Sequence, residues 1–437
     1  MFMFSMPKVG MGKKHNPVLG CGISPPSDSF SKHRTIALEF SMSVKHGRQF
    51  LSIPGPTTVP DEVLSAMHRP AIDIYSGDII DFTESCLEDL RAVFKTAGRT
   101  YIYAANGHGA WEAALMNTLS RGDTILVLES GRFAKGWGEM ATFAGITVDT
   151  VPGKWRSAVD PTAVEEHLKK DSEHKIKAIL VVQSDTASGV LNDIPAIRGA
   201  IDAAGHPAML FVDTIASLGC VPFEMDAWGV DVSICGGQKG LMTPPGLSFV
   251  AAGKRAIEAH QTADMRTQYW DWTAREGEIL YQKYCGTPPE HLLFGFRKAL
   301  DLLLHEEGLE NAFARHRLLA QATRRAVAVW SEAGALSMNV LEPAQRADSV
   351  TTILLSEGYN PAPLLEYCRE KAGVTLGIGI GETTDTMFRI AHMGHTNAPM
   401  VLGTLGVTEM GLAATGIPHG RGGVQAAVDF LGEAVTA

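Results

Sequence analysis

Between Thr100 and Ala251, short apolar runs alternate with stretches of helical period, and this alternation limits the fold more than any other feature of the chain. The runs are Thr100–Ala105, Thr124–Leu128, Thr147–Val151, Ile176–Val182, Ala208–Asp213, 231–235 and 247–251; helical patterns at 110–116, 133–143, 161–169 and 194–204 lie between them. Runs that are apolar at nearly every position belong to strands buried on both faces. Strands linked through helices of this length make a mostly parallel sheet, so the expectation is an α/β fold with a seven-stranded sheet covered by helices.

Beyond residue 255 the helical patterns lengthen, over 291–306 and 308–333. The last hundred residues alternate again, with strand-like Val350–Leu355, a helix at 362–371 and strand-like Met387–Ala391. The reading is a large domain over 49–305 and a smaller α+β domain over 306–437. Residues 1–48 show no periodicity, so they are expected to be a disordered extension, and Met42 is an alternative start. Pro7, Pro17, Pro25 and Pro26 interrupt the long amphipathic helix that an organellar transit peptide needs, although a basic, Ser-containing segment keeps targeting open.

Composition removes several classes of function. Net charge is −10 and no basic stripe stands out, which argues against a nucleic-acid partner. No apolar run is long enough to span a bilayer, so no membrane partner is expected. Cysteines 21, 86, 220, 235, 285 and 368 are scattered without a Cys-x-x-Cys pair, which suits a reducing, cytoplasmic setting. The histidines show no metal-binding spacing, and no metal is expected.

Chemistry concentrates at two places. The run Val232–Cys235 breaks into Gly236-Gly237-Gln238-Lys239-Gly240 and closes on Pro244-Pro245-Gly246, which holds one lysine in a rigid apolar turn. Desolvation there lowers the amine's pKa and makes available the neutral form that attacks a carbonyl to give a Schiff base. Upstream, Met209-Leu210-Phe211-Val212-Asp213 ends a buried strand in a carboxylate. Ligands of open α/β sheets sit beyond strand carboxyl ends. An acid at that point can keep a pyridinium nitrogen protonated, as pyridoxal phosphate requires to accept carbanion electrons.

Two further features are weaker alone. Asn106-Gly107-His108-Gly109 separates a strand from a helix, where free N–H groups attract a phosphate, but a tight turn capped by Asn106 is the simpler reading. Arg389 lies inside the apolar pattern Met387–Ala391, so it must reach solvent at an edge or meet an anion such as a substrate carboxylate.

Pro54-Gly55-Pro56-Thr57, Gly107-His108, Phe211-Val212-Asp213 with Ala216-Ser217-Leu218-Gly219, Gln238-Lys239-Gly240 with Pro244-Pro245-Gly246, and Phe388-Arg389-Ile390 occur in that order. Together they resemble the class V aminotransferases, within them the alanine-glyoxylate and serine-glyoxylate group, from about residue 50 to the C-terminus. The resemblance implies fold type I, a homodimer with shared active sites, pyridoxal 5′-phosphate, and transfer of an amino group from alanine or serine to glyoxylate, yielding glycine and a 2-oxo acid. It implies that Lys239 carries the cofactor and moves the proton, that Asp213 holds the ring nitrogen, and that Phe133 covers the ring. Thr186 is implied near the phenolic oxygen, Asn106, Gly107, His108 and Gln238 around the phosphate, and Tyr284 and Thr287 on the neighbouring subunit's phosphate. Arg389 and Gly55 are implied at the substrate.

The chain departs from the pattern at Asp73-Ile74-Tyr75-Ser76-Gly77, where the family often has Asp-His-Arg-Ser-Pro, so the donor stays open. Neighbouring readings are a pyridoxamine-pyruvate type of transaminase, a desulfurase or lyase using a mobile-loop cysteine, and a non-catalytic module that binds pyridoxal phosphate. Cys368 sits on a helical pattern and Gln238 stands where desulfurases generally have histidine, both against the second of these.

Overall fold

The computed structural model describes residues 43–436, and these lie in one compact unit. Its strands are, in chain order, β1 Phe50–Ser52, β2 Arg99–Tyr103, β3 Thr124–Leu128, β4 Thr147–Val151, β5 Ile176–Val182, β6 Ser184–Asp185, β7 Val190–Leu191, β8 Met209–Asp213, β9 Val232–Gly236, β10 Ser248–Ala252, β11 Leu336–Met338, β12 Val350–Leu355, β13 Val374–Ile378 and β14 Met387–Ala391.

Seven of them form one sheet in the order β2-β10-β9-β8-β5-β3-β4, parallel except for β10, which is antiparallel to both neighbours. The expected mostly parallel seven-stranded sheet is therefore the observed one. Its strands read as unbroken apolar runs because both faces are covered. Along β5, Ile179 and Val181 enter one core while Ala178, Leu180 and Val182 enter the other. The first core takes in Leu90, Val164, Ile197 and Leu293 from helices Asp78–Phe94, Pro161–Lys170, Ile194–Ala203 and Glu290–Leu300. The second packs against helices Gly107–Thr118 and Arg132–Phe143 through Trp111 and Trp137.

A five-stranded sheet, β1-β13-β14-β12-β11, has its own core around Trp330, Phe388 and Leu405. The segment Phe50–Ser52, which lies within the large domain expected over 49–305, pairs in parallel with β13, Phe50 opposite Val374. The expected disordered extension lies outside the described residues except for 43–48. Within those six, Val44 N–H donates to the Lys371 carbonyl over 2.8 Å, and Lys45 pairs with Glu370 at 3.3 Å. No helix among the described residues is long and apolar enough to cross a membrane.

Candidate active site

The carboxyl ends of β2, β3, β5, β8 and β9 all open toward one cavity of about 240 Å³, the location that strand polarity favours for a ligand. Its walls include Asn106, Gly107 and His108 after β2, Phe133 after β3, Thr186 after β5, Asp213 at the end of β8, and Gln238 and Lys239 after β9. A larger recess of about 990 Å³ lies at the opposite strand ends, lined by Arg198, Trp228 and Arg255, and no expected site residue reaches it.

Lys239 and Asp213 share the smaller cavity, and each titrates far from its ordinary value. Burial pulls the Lys239 amine down to about 8, helped by the positive charge of Arg389 and opposed by Asp213. Its Nζ donates to the carbonyl of Pro54. Gly55 has φ +98°, and a Cβ there would collide with the end of the Lys239 side chain. Burial pushes the Asp213 carboxyl up to about 7, against the N–H bonds it accepts from Ile215 at 2.7 Å and from the Trp111 indole at 2.7 Å.

The turn after β2 is capped as the simpler reading predicts: Asn106 Oδ1 accepts from His108 N at 3.1 Å and from Gly109 N at 3.4 Å. Gly107 meets a second demand, because a Cβ would run into Ile215 Cδ1. Burial and the nearby charges of Arg132 and Lys239 hold the His108 imidazole below its usual value. Within the cavity wall, Gln238 Oε1 and Ser184 Oγ are buried without a hydrogen-bond partner.

Arg389 sits on β14, the middle strand of the five-stranded sheet, and does not escape to an edge. It is 6% exposed; Nε donates to the Ile378 carbonyl at 2.6 Å and Nη1 to the Thr186 carbonyl at 2.8 Å. Burial lowers its pKa to about 10, and the opposing charge is that of Asp185.

A model of the family described as "Aminotransferase class-V" matches residues 50–396, more than half of the chain and the whole of this cavity. The chain belongs to the class-V aminotransferases. Over 89% of its length the aminotransferase is 40% identical to a serine–glyoxylate aminotransferase of Methylorubrum extorquens, covering 97% of that protein. It is 36% identical to an L-aspartate–glyoxylate aminotransferase of Paracoccus denitrificans, covering 88% of this chain and 96% of that one. Among solved structures, a pyridoxamine–pyruvate aminotransferase of Mesorhizobium loti superposes with a TM-score of 0.80 at 26% identity, over 89% of this chain and 98% of that one.

The aminotransferase brings together eight of the residues singled out by sequence around the cavity, with Gly55 against Lys239 and Arg389 against Thr186. Tyr284 and Thr287 do not line it: the Tyr284 hydroxyl is buried and bonded to Thr83 Oγ1 at 3.0 Å, while Thr287 is exposed. Sequence reasoning missed Trp111, Asp185 and the Pro54 carbonyl. Trp111 reads as one more apolar residue of a helix, and only its proximity to the glycine turn hints otherwise. Asp185 is fully buried, accepting the N–H groups of Phe133 at 3.0 Å and Ala134 at 3.1 Å, so it caps the helix that carries Phe133.

Proposed function

We propose that this aminotransferase binds pyridoxal 5′-phosphate and moves the amino group of a small amino acid, alanine or serine, onto glyoxylate, releasing glycine and a 2-oxo acid. The observation that carries the reading is a buried amine and a buried carboxylate, Lys239 and Asp213, facing one cavity at the carboxyl ends of the parallel strands. The cavity fits the cofactor chemically. Asp213 offers an acceptor for a ring N–H, the Phe133 ring an apolar face, and the unpartnered Gln238 Oε1 and Ser184 Oγ are polar atoms in want of a ligand.

Bound there, pyridoxal phosphate supplies an electron-withdrawing ring that makes the donor's α-hydrogen acidic. Asp213 holds the proton on the ring nitrogen. Lys239 Nζ, the buried amine facing the cavity, would hold the cofactor and, as the neutral amine, would take up and give back the donor's α-proton. Arg389 turns its fork to the substrate carboxylate. Gly55 leaves the room that the lysine side chain occupies. Asn106, Gly107, His108 and Gln238 would hold the phosphate, and the Thr186 hydroxyl would serve the phenolic oxygen. In the homodimer we propose, the exposed Thr287 is assigned to the partner's phosphate, whereas the Tyr284 hydroxyl, which the resemblance places there too, is buried against Thr83 in this chain. The large domain is built on the seven-stranded sheet and the small one on the five-stranded sheet. Cysteines 86, 220, 235, 285 and 368 are all free, which suits a reducing compartment such as the cytoplasm.

The test is to mix the cofactor-loaded protein with single amino acids, alanine, serine and aspartate among them, and to follow conversion to pyridoxamine phosphate and then glycine formation from glyoxylate. Borohydride reduction followed by mass spectrometry should fix the cofactor's mass on the peptide holding Lys239, and Lys239→Ala should lose both the label and turnover. Full turnover by Lys239→Ala would sink the reading. Offering free pyridoxamine and pyruvate examines the neighbouring transaminase chemistry. The desulfurase reading lacks its nucleophile at Cys368, which is fully buried on the helix Ala362–Ala372 with its thiol pushed up to about 12.

A further inference from the structure

We propose that Trp111 is a positioning residue for Asp213: its indole N–H favours the ionised carboxylate and orients it, and so sets how tightly the cofactor's ring nitrogen is held. The inference rests on the proposed cofactor reading, but its geometry stands in the protein alone. Trp111 Nε1 lies 2.7 Å from Asp213 Oδ2, and both side chains are buried. An indole nitrogen only donates, so no tautomer or rotamer lets this contact serve a protonated Oδ2–H as donor. The bond therefore favours the ionised acid.

The donor is held rigidly. Trp111 stands in the first turns of the helix Gly107–Thr118, stacked on Trp137 at 5.9 Å and 13°, with the His108 ring 4.5 Å from its own. Asn106, Gly107 and His108, three of the four residues assigned to the phosphate, thus belong to the same short segment as the group that holds the ring-nitrogen acid. A shift of that helix moves both ends of the cofactor site together.

Other groups act on Asp213. Ile215 N–H holds Oδ1 at 2.7 Å and the Lys239 charge favours ionisation, whereas Asp185 disfavours it. Cys235 also acts on the carboxyl, but burial holds its thiol neutral, well above its ordinary range, and His108 packs its ring against Trp111. Removing the indole N–H leaves one short hydrogen bond against full burial, so Asp213 gains its proton at higher pH.

The experiment uses Trp111→Phe, which keeps an aromatic ring and loses the donor. The Asp213 side-chain carboxyl is followed by ¹³C NMR in cofactor-free protein, assigned by Asp213→Asn, and pyridoxal phosphate affinity is measured against pH. The expected results are an Asp213 midpoint moved upward, affinity about tenfold weaker near neutral pH, and the acid limb of the binding curve moved the same way. A mere packing defect would weaken binding equally at every pH. Should the variant fail to fold, the Trp111 indole ¹⁵N–¹H resonance of the wild type decides: it must move in step with the Asp213 titration, and an indole signal indifferent to that titration overturns the proposal. A wild type that takes up no pyridoxal phosphate overturns the cofactor reading itself. Binding by the wild type with an unchanged Asp213 midpoint in Trp111→Phe overturns only the part given to Trp111.

Discussion

Asp213 shows most plainly what the site costs the fold. Its folded-state pKa of about 7 lies above the ordinary carboxylate value of 3.8, so the folded protein holds a proton that the unfolded chain gives up. Stability from this group is therefore present at low pH and falls as pH rises through the window between those two values. Cofactor-free Asp213→Asn should match the wild type in urea unfolding near pH 4 and exceed it at pH 8, by on the order of a few kcal/mol, while losing transamination. An equal difference at both pH values would refute the assignment. The identity of this acid was legible because a strand that reads Met209-Leu210-Phe211-Val212 has no reason to end in a carboxylate unless something beyond the strand needs it. Its partner Trp111 was not, because a tryptophan in a helix is core by default and only the fold aims its Nε1.

At the scale of elements, the site is assembled where strands end and helices begin, with Asp213 closing β8 and Gly107, His108 and Phe133 in the first turns of their helices. Each glycine-marked turn places backbone where a side chain would intrude. Gly107→Ala should drive the new methyl into Ile215, which also lines the cavity, and weaken pyridoxal phosphate binding about tenfold with only a small change in melting temperature. Adding Ile215→Val removes the colliding Cδ1 and should restore affinity; failure of that rescue would show that the glycine matters for another reason.

Elements with a clear pattern were legible, among them β3, β4, β5 and the helix Arg132–Phe143. The helices Ala398–Ala414 and Gly423–Thr436 were not. Ala398–Ala414 holds Gly403, Gly406 and Gly411, poor helix formers, and is apolar nearly all round, so propensity and periodicity are both silent. Tertiary contact makes it a helix: a Cβ at Gly411 would strike Leu364 of the neighbouring helix, so the small residues permit close packing.

At the scale of the whole molecule, the proposed homodimer sets the exposed Thr287 against the partner's phosphate, and that can be tested. Mixing inactive Lys239→Ala with Thr287→Asp, which sets a carboxylate against the partner's phosphate, should yield heterodimers with one intact site, and about a quarter of wild-type activity after random exchange. No recovery above the unmixed variants, with heterodimers verified by mass, would place Thr287 outside the site. Within one chain, the strand Phe50–Ser52 completes a sheet whose other strands all lie beyond residue 335. By itself the sequence determined the parallel sheet and the lysine and acid at its strand ends, because burial on both faces writes unbroken apolar runs and reactive groups interrupt them. Only the tertiary structure decided that Arg389 is answered by carbonyls and the charge of Asp185, that Trp111 grips Asp213, and that β1 crosses to the second sheet. Those depend on which distant atoms come within hydrogen-bonding reach, and pairings between distant segments leave no period in the chain.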